Sequence, residues 1–372
     1  MNLRSEFVMK ALGGENIRAL CRQYGISSKT GYKWVERFKQ EGLAGLSNAS
    51  RRPRAHARQL AEDVVCEIVR LKKLTPAWGP KKIRAVYARR HTQVPSESTF
   101  KRVLDKAGWV ERRRTRKRES TGRLYTQRIA EKPNDIWTVD FKGWWYEGER
   151  GRCEPLTVRD EFSRYVLEVR AVPNARTETV RACFEKLFER YGLPAAIRSD
   201  NGAPFASRNA IFGLTRLSAW WLALGIDLER GRPGCPQDNG AHERFHADIA
   251  RELQGRVLPE RQAIFDTWRE EYNDERPHEA LGQRCPAEFF VPSPRHYDGS
   301  LQDLDYGNML TRKVHVTGTI NWKSDHLQIS SALGGWSVGL EPAAGQWKLW
   351  FGRLLLGTID PSAAAFIPIT RA

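Results

Sequence analysis

The stretch Ile136-Trp-Thr-Val-Asp-Phe141 alternates between side chains that face opposite sides of an extended chain. This period of two predicts a β-strand with Ile136, Thr138 and Asp140 on one face. A carboxylate on a packed strand face is costly to bury unless it is paired or binds a metal ion. Asp140 is therefore the first candidate for a functional residue.

The segments that follow this strand predict an α/β domain. Two further strands, 156–160 and 165–172, come at a spacing that indicates an antiparallel meander. An amphipathic helix, a strand at 195–198, a helix that contains Trp220, a strand at 226–228 and a last helix complete the region. Three strands, helix, strand, helix, strand, helix is the order of a ribonuclease-H-like fold.

Two other acidic residues lie in equally distinct contexts. Asp200 leaves the fourth strand at an Asn-Gly turn, and Glu243 lies on the last helix. The buried stripe of that helix is predicted to contain Phe245, Ile249 and Leu253, which leaves Glu243 on the other side, toward a cleft. One such acid alone would indicate a salt bridge or a helix cap, but the three together predict a common site.

The positive charge of the chain is concentrated in its first third. Net charge is +17 overall, yet residues 1–132 hold 32 Lys and Arg against 12 Asp and Glu, a net of +20. The other 240 residues hold 29 against 32, a net of −3. A basic module joined to a near-neutral one predicts that a polyanion, double-stranded DNA, is bound by the first and processed by the second.

Residues 16–39 have the pattern of a helix-turn-helix, with Gly25-Ile-Ser27 as the turn. Tyr32, Val35 and Phe38 are predicted to form the core face of the second helix. The outward side chains near the start of that helix are where such helices meet base edges and phosphates. The alternative is an ordinary helical hairpin, which the basic context makes the weaker interpretation.

A second helical unit and a charge run follow. Three helices are predicted between residues 60 and 112, and Ser96 would cap the last of them. Arg112-Arg-Arg-Thr-Arg-Lys-Arg118 is either a solvated linker or an arm along the phosphate backbone. The predicted DNA contacts of the whole chain are Ser28, Lys29, Thr30, Lys33, Arg37, Lys101, Arg102, Arg112, Arg113, Arg114, Asn239 and Arg244.

Three carboxylates delivered by separate elements suit a hard divalent cation, Mg²⁺ or Mn²⁺. Two such ions can promote an in-line displacement at phosphorus. Asp140, Asp200 and Glu243 are therefore the predicted metal ligands and catalytic residues. An all-oxygen site does not need His242 or His246, and His246 is expected at the rim of the site or against DNA. Other nearby acids are expected to be structural or solvated: Asp160, Asp238 and Asp248.

Composition excludes several classes of protein. Six cysteines are scattered singly, without Cys-x-x-Cys pairs or zinc-finger spacing, which indicates reduced core residues rather than a disulfide framework. No run approaches the roughly 18 apolar residues of a membrane span, and no signal sequence opens the chain. The expected location is the cytoplasm.

Several short apolar strands between residues 308 and 360 predict a small β-barrel without a catalytic constellation. The predicted fold class is thus multidomain, with all-α modules, an α/β core and this barrel. The predicted divisions are 1–50 and 60–112 for the two helix-turn-helix modules, 113–133 for a basic linker, 134–296 for the catalytic core and 308–360 for the barrel.

The chain resembles the DDE transposases of bacterial insertion sequences, whose catalytic core is related to retroviral integrase. The resemblance rests on the contexts of Asp140 and Asp200, on Pro233-Gly-Cys-Pro-Gln-Asp-Asn-Gly240 leading into Glu243-Arg-Phe, and on Tyr272-Asn-Asp-Glu-Arg-Pro-His278. It implies the three acids as the catalytic triad. Asp200 and Glu243 are separated by 42 residues, a longer interval than in many relatives, although the motifs on both sides are intact.

What the resemblance implies is metal-dependent cleavage at the ends of an insertion sequence, followed by transfer of the freed strand into target DNA. Two Mg²⁺ ions and a homo-oligomer on DNA are expected, since two ends have to be brought together. Two alternatives stay open at this point. One is a nuclease of the same fold that cuts without joining, and the other is a non-catalytic DNA-binding relative.

Overall fold

A computed structural model describes residues 3–48, 60–110, 128–147, 151–207, 210–231, 240–254, 260–300 and 303–369. The chain divides into two compact units, Met1–Val64 and Val65–Ala372. Across the described ranges no helix is long and apolar enough to cross a membrane.

The first unit contains a helix-turn-helix preceded by one more helix. Its helices are α1 (Leu3–Leu12), α2 (Ile17–Gln23) and α3 (Ser28–Glu41). The predicted turn is present, and the Ser27 side chain caps α3 by accepting a hydrogen bond from the amide of Thr30 at 3.2 Å.

The predicted core face of α3 is wrong at Tyr32, which is 51% exposed. Gly31 is buried in its place, because a Cβ there would lie 2.4 Å from Sγ of Cys21 on α2. The close approach of the two helices at Gly31 places the buried stripe on Gly31 and Val35, one helical turn apart, and directs Tyr32 outward.

The second unit begins with three helices, α4 (Glu62–Leu74), α5 (Pro80–Ala88) and α6 (Glu97–Lys106). Pro80 occupies the first position of α5, where its missing N–H has no helical partner in any case. Phe100, Val103 and Leu104 of α6 are buried as predicted. Ser96 is the N-cap of α6, but its side chain makes no capping bond to the helix backbone.

The α/β core is built on a five-stranded sheet with the order β5-β4-β1-β6-β7. Its strands are β1 (Ile136–Phe141), β4 (Pro155–Asp160), β5 (Val166–Ala171), β6 (Ala196–Ser199) and β7 (Asp227–Arg230), and a separate hairpin pairs β2 (Trp145–Tyr146) with β3 (Arg152–Cys153). The central strand β1 is antiparallel to β4 and parallel to β6. The antiparallel pairing of β1 with β4 and of β4 with β5 agrees with the predicted meander.

Helices cover both faces of this sheet. On one face α7 (Thr177–Tyr191) and α8 (Arg216–Ala223) pack against Trp137 and Val139 in one hydrophobic cluster. On the other face α9 (Gly240–Glu252) and α10 (Arg261–Glu270) pack against Val166 and Val169 of β5. Because side chains alternate along β1, Thr138 and Asp140 point to the face that α9 covers.

The C-terminal segment does not confirm the predicted closed barrel. Its strands are β8 (Leu310–Lys313), β9 (Thr319–Trp322), β10 (Asp325–Gln328), β11 (Ser337–Ala343), β12 (Gln346–Phe351), β13 (Leu354–Asp360) and β14 (Ala365–Pro368). Five of them form an open antiparallel sheet, β14-β13-β12-β11-β8, and β9 pairs only with β10 among the described strands. This hairpin lies beside both sheet edges, β8 and β14, without ladder pairing to either. It therefore covers the core and leaves the ring open.

Candidate active site

Asp140 and Asp200 come to the same edge of the sheet. In the parallel pair of β1 and β6, Thr138 is opposite Arg198, so the same register carried two residues further brings Asp140 beside Asp200. Burial raises the pKa of Asp140 to about 7, and the negative charge of Asp200 contributes to the increase, with a smaller effect from Glu243. Asp140 is therefore close enough to both other predicted acids for their charges to affect its pKa.

The Asp200 carboxylate is held by the turn that follows β6. Its Oδ1 accepts a hydrogen bond from the amide of Gly202 at 3.1 Å. The side-chain amide of Asn201 donates to the carbonyl of Gly231, just past β7, at 2.7 Å. A Cβ on Gly202 would lie 2.8 Å from Oδ2 of Asp200, so a larger residue at position 202 would require the carboxylate to move.

Glu243 is exposed in the first turn of α9, where the helix dipole favours negative charge. The first turn of α9 is attached to the sheet by hydrogen bonds of His242. Nδ1 of His242 lies 2.8 Å from Oγ1 of Thr138, and Nε2 lies 2.7 Å from Oγ1 of Thr157. These bonds link the residue next to Glu243 to the strand that carries Asp140 and to its neighbour β4.

Arg159 and His246 complete this attachment. The guanidinium of Arg159 donates to the carbonyl of Ala241 at 2.9 Å. His246 is 6% exposed, and its Nε2 lies 2.9 Å from Oγ1 of Thr157. One turn beyond His242, His246 is likewise buried against the sheet, and its Nδ1 lies 3.9 Å from Oδ2 of Asp140. This agrees with its predicted place at the rim of the site, while contact with DNA stays a prediction. Burial lowers the pKa of His246 to about 3.

Sequence reasoning missed the role of the two histidines. The available signal was their spacing of four on a helix next to strands with threonine on the same face, a pattern that brings ring nitrogens and hydroxyls together. Thr157 Oγ1 also donates to the carbonyl of Asp140 at 2.9 Å. One hydroxyl thus connects the backbone of the first acid to the helix of the third.

The chemistry of the donor set fits a hard divalent cation, since a strand, a turn and a helix each supply one carboxylate. Across the described residues no group of three His, Cys, Asp or Glu side chains is arranged closely enough to hold an ion. Charges act over longer distances than metal coordination does, so Asp200 and Glu243 can affect Asp140 without being close enough to share an ion with it. The like charges of the three carboxylates repel one another. A cation with oxygen preference would offset that repulsion, and Asp140, Asp200 and Glu243 are the residues that would hold it.

The predicted DNA contacts differ in exposure, and some lie outside the described residues. Ser28, Lys29 and Lys33 are exposed on α3, while Thr30 and Arg37 are half-buried there. Lys101, Arg102 and Arg244 are exposed on α6 and α9. Four further predicted contacts lie outside the described residues: Arg112, Arg113, Arg114 and Asn239.

The acids expected to be structural are so where they are described, and Asp238 lies outside the described residues. Asp160 accepts hydrogen bonds from the amides of Asn134 and Ser163, both at 2.7 Å. Asp248 lies 3.2 Å from the guanidinium of Arg276. Both therefore have partners that need no metal ion.

Four family models match the chain. Residues 130–236 and 224–286 each match a model described as an integrase core domain. Residues 3–54 match a helix-turn-helix domain, and residues 30–104 match a homeodomain-like domain. The matched core covers β1 to the segment after α10, and so includes all three acids.

Similar proteins come from insertion elements. An uncharacterized 31.7 kDa protein of element IS407 from Burkholderia multivorans is 26% identical over 252 residues, which cover 66% of this chain and 87% of that protein. An uncharacterized protein of element IS136 from Agrobacterium fabrum is 32% identical over 184 residues, 45% of this chain and 89% of the relative.

Among solved structures, the catalytic core domain of BIV integrase is similar, with 22% identity, a TM-score of 0.31 and coverage of 42% of this chain and 92% of that one. The family matches and the insertion-element relatives agree with the fold and with the order of its modules. This chain belongs to the DDE transposases of bacterial insertion sequences.

Proposed function

We propose that this transposase cleaves DNA at the ends of its insertion element and joins the freed 3′ ends to target DNA, with Asp140, Asp200 and Glu243 as the catalytic residues. The observation that carries the proposal is that Asp200 and Glu243 lie near Asp140, where their negative charges add to the effect of burial in raising the pKa of Asp140. Buried acids with perturbed pKa values are typical of functional sites.

The proposed chemistry has two in-line displacements. In the first, a water oxygen bonds to the scissile phosphorus, the P–O3′ bond breaks, and a 3′-hydroxyl and a 5′-phosphate are released. In the second, that 3′-hydroxyl attacks a phosphorus of target DNA and a target 3′-hydroxyl leaves. Neither step needs a covalent bond between protein and DNA.

Bound Mg²⁺, two ions by expectation and replaceable by Mn²⁺, would lower the pKa of the attacking water and stabilise the charge on the leaving oxygen. The chain itself holds the carboxylates for this purpose. The Gly202 turn orients Asp200, Thr157 fixes the backbone of Asp140, and His242 holds the first turn of α9 so that Glu243 faces the same edge.

An open cleft lies next to the turn that follows Asp200. Its volume is about 730 Å³, and it is lined by residues 201–204, Ala206, Ser207, Thr215 and the start of α7. DNA is gripped, in this proposal, by the exposed cations of α3 and α6, which belong to the strongly basic first third of the chain. A dimer or larger assembly on DNA would pair the two element ends.

The division of labour follows the sequence. We assign DNA recognition to residues 1–50 and 60–112, a basic connection to residues 113–133, and catalysis to residues 134–296. The segment 308–360 carries no candidate catalytic group in this scheme.

The test is a strand-transfer reaction with labelled element-end DNA, a plasmid target and Mg²⁺. Wild type should cleave and join. Asp140→Asn, Asp200→Asn and Glu243→Gln should bind the end DNA and do neither. Asp227→Asn, which changes an exposed acid of β7, is the matched control and should retain activity.

Each other outcome has its own meaning. Cleavage without joining would favour a nuclease of the same fold. Tight end binding without either reaction in Mg²⁺ or Mn²⁺ would indicate a non-catalytic DNA-binding relative. Full activity of any of the three acid variants would refute its assignment.

A further inference from the structure

The motif Tyr272-Asn-Asp-Glu-Arg-Pro-His278 has no part in the acid site, yet it surrounds a fully buried charge. Arg276, just after a π-helical turn (Glu271–Glu275) that extends α10, is 1% exposed. Its guanidinium carbon lies 5.0 Å from the ring centre of Tyr272 and 5.5 Å from that of Trp268. π-Helical turns are rare and are frequent at functional sites, so this position calls for a role.

On one side Arg276 binds the helix that carries Glu243. Its Nη1 lies 3.2 Å from Oδ2 of Asp248, and its Nη2 contacts Oε2 of Glu252. These two acids are one helical turn apart on α9 and face the same way. Burial alone would raise the pKa of Glu252, but the charge and hydrogen bond of Arg276 lower it, so the pair is ionised.

On the other side Arg276 meets the second helical unit. The ring centre of Trp78, in the loop before α5, is 5.8 Å from the guanidinium carbon. Trp78 is 3% exposed, and its carbonyl accepts a hydrogen bond from Nζ of Lys72 at 2.7 Å. Arg276, which is paired with two acids of α9, is thus also in contact with Trp78 of the second helical unit, which is predicted to bind DNA.

Both ends of α5 are attached to the same segment of the core. At its start, Nζ of Lys81 lies 2.6 Å from Oε1 of Glu279. Just past its end, Arg89 donates to the carbonyl of Glu275 at 3.0 Å and to Sγ of Cys285 at 2.9 Å. The second helical unit is therefore docked along residues 275–285, next to Arg276.

We propose that Arg276 is a positioning residue that joins the second helical unit to α9, so that DNA held by α4 to α6 is presented in a fixed position relative to Glu243. This inference rests on the proposed function. A buried ion pair contributes little net stability compared with an apolar replacement of similar volume, whereas it does fix geometry. The planar fork of arginine meets two carboxylates at once, which lysine does not do.

The primary test is Arg276→Lys and Arg276→Met in the full-length chain. We expect the single-turnover rate of end cleavage to fall by about tenfold or more, as for a displaced reacting group. The dissociation constant for end DNA should stay within about twofold of wild type, because α3 and α6 are unchanged. Arg284→Lys is the matched control, since Arg284 lies on the same segment but is exposed.

A second readout does not depend on cleavage. Hydrogen exchange of residues 240–252 should slow when element-end DNA binds to wild type, and should not respond in Arg276→Met. This separates the two proposals: an inactive wild type that still shows the coupled exchange would refute catalysis and leave the coupling intact. Equal exchange and equal cleavage in folded Arg276 variants would overturn the role of Arg276.

If the Arg276 variants do not fold, a cross-link between α5 and the core tests whether the second helical unit stays docked during cleavage. Lys81→Cys and Glu279→Cys are combined with Cys66→Ser, which removes an exposed thiol, and are joined by a reducible bifunctional maleimide. Cleavage retained in the cross-linked protein supports fixed docking of the unit. Cleavage lost on cross-linking and recovered on reduction would overturn it, because the unit would then have to leave this position.

Discussion

Asp140 combines two opposing physical requirements. Its place on a packed strand disfavours the charged form, and two acids nearby disfavour it further, which raises its pKa to about 7. Binding of a divalent cation needs that same charged form. Ionisation of Asp140 is therefore unfavourable in the metal-free site, and the proposed metal ion would offset this. Hydrogen bonds of Thr157 and His242 meanwhile hold the backbone of Asp140 and the helix α9 in place.

Gly202 lies directly against the Asp200 carboxylate. Because an added Cβ would lie 2.8 Å from Oδ2 of Asp200, Gly202→Ala has to displace the carboxylate. We expect the DNA cleavage rate to fall by about ten- to a hundredfold, the order expected for a misplacement of about 1 Å. Thermal melting of the same preparation should change by only a few degrees, since the turn lies at the surface.

Gly240→Ala is the control for that experiment. It lies on α9 near Glu243, and an added Cβ would meet no described atom within 4 Å. This variant should cleave DNA as wild type does. Unchanged cleavage by Gly202→Ala would contradict the role given to the Asp200 carboxylate.

Asn273 closes the free edge of the core sheet. Its Oδ1 accepts from the amide of Val166 at 2.8 Å, and its Nδ2 donates to the carbonyl of the same residue at 2.9 Å. The side chain thereby replaces a further strand beside β5, which is the edge strand of the sheet.

Asn273→Ala should therefore lower the free energy of unfolding. Removal of the amide leaves a buried N–H and a buried C=O of Val166 unpaired, and we expect a loss of about 2–4 kcal/mol. Urea denaturation gives the value. Asn321→Ala, at an exposed position of β9, should change it by less than about 0.5 kcal/mol, and an equally small effect at Asn273 would show that the edge does not need this side chain.

At the scale of elements, α9 is held at two places by different chemistry. Its first two turns are held by His242 and His246, whose burial disfavours the charged ring, and its second half is held by ion pairs to Arg276. The two attachments limit rotation and sliding of the helix that carries Glu243. Glu243 therefore lies on a helix that is firmly attached to the sheet, and not on a loop.

Lys82 of α5 makes the free energy of unfolding depend on pH. Burial lowers the pKa of Lys82 from 10.5 to about 8, and the charge of Arg276 adds to the decrease. Between these values the unfolded chain binds the proton and the folded chain does not, so this residue makes stability rise as pH increases from about 8 to 10.5. Below pH 8 both states are protonated and the folded state carries the full cost of burial.

Lys82→Met should remove that cost. We expect the variant to be more stable than wild type at pH 7 by on the order of 1–2 kcal/mol, a value reduced for partial solvent screening. The difference should shrink as pH rises through the window above. Denaturation curves at pH 7, 9 and 10.5 measure it, with Lys73→Met, on the exposed side of α4, as the control. A difference that is independent of pH would refute the assigned cause.

At the scale of the whole molecule, charge and catalysis are separated along the chain. The excess of positive charge lies within residues 1–132, and the three acids lie in the near-neutral remainder. Association with DNA is then driven by the basic part through release of counterions, while the core has no large repulsion of its own to overcome.

This separation predicts where salt dependence originates. Lys29→Ala combined with Lys33→Ala should reduce the slope of log affinity against log salt by about 0.9 for each lost phosphate contact. Lys186→Ala combined with Arg190→Ala, which removes two exposed cations from α7, is the charge-matched control and should leave the slope unchanged. Fluorescence anisotropy between low and moderate salt gives both slopes, and equal slopes for the two doubles would contradict DNA binding by α3.

The sequence by itself determined most of the elements and their order, because period, caps and turn residues are local signals. It did not predict α1, α10 or the short hairpin of β2 and β3. The alternation in Ile136–Phe141, the Ser27 cap and the Asn-Gly turn after Asp200 were all readable from neighbouring residues. Family resemblance pointed to the acids from the same contexts. Their role as catalytic residues stays a prediction.

Only the tertiary structure decided which side chains meet across long stretches of chain. His242 contacts Thr138, 104 residues away, and Asn273 pairs with Val166, 107 residues away. The burial of Gly31 in place of Tyr32 and the open C-terminal sheet likewise depend on how elements approach one another. A local pattern tells which face of a helix is apolar, but the partner of a buried histidine or arginine is set by packing between elements that sequence order does not bring together.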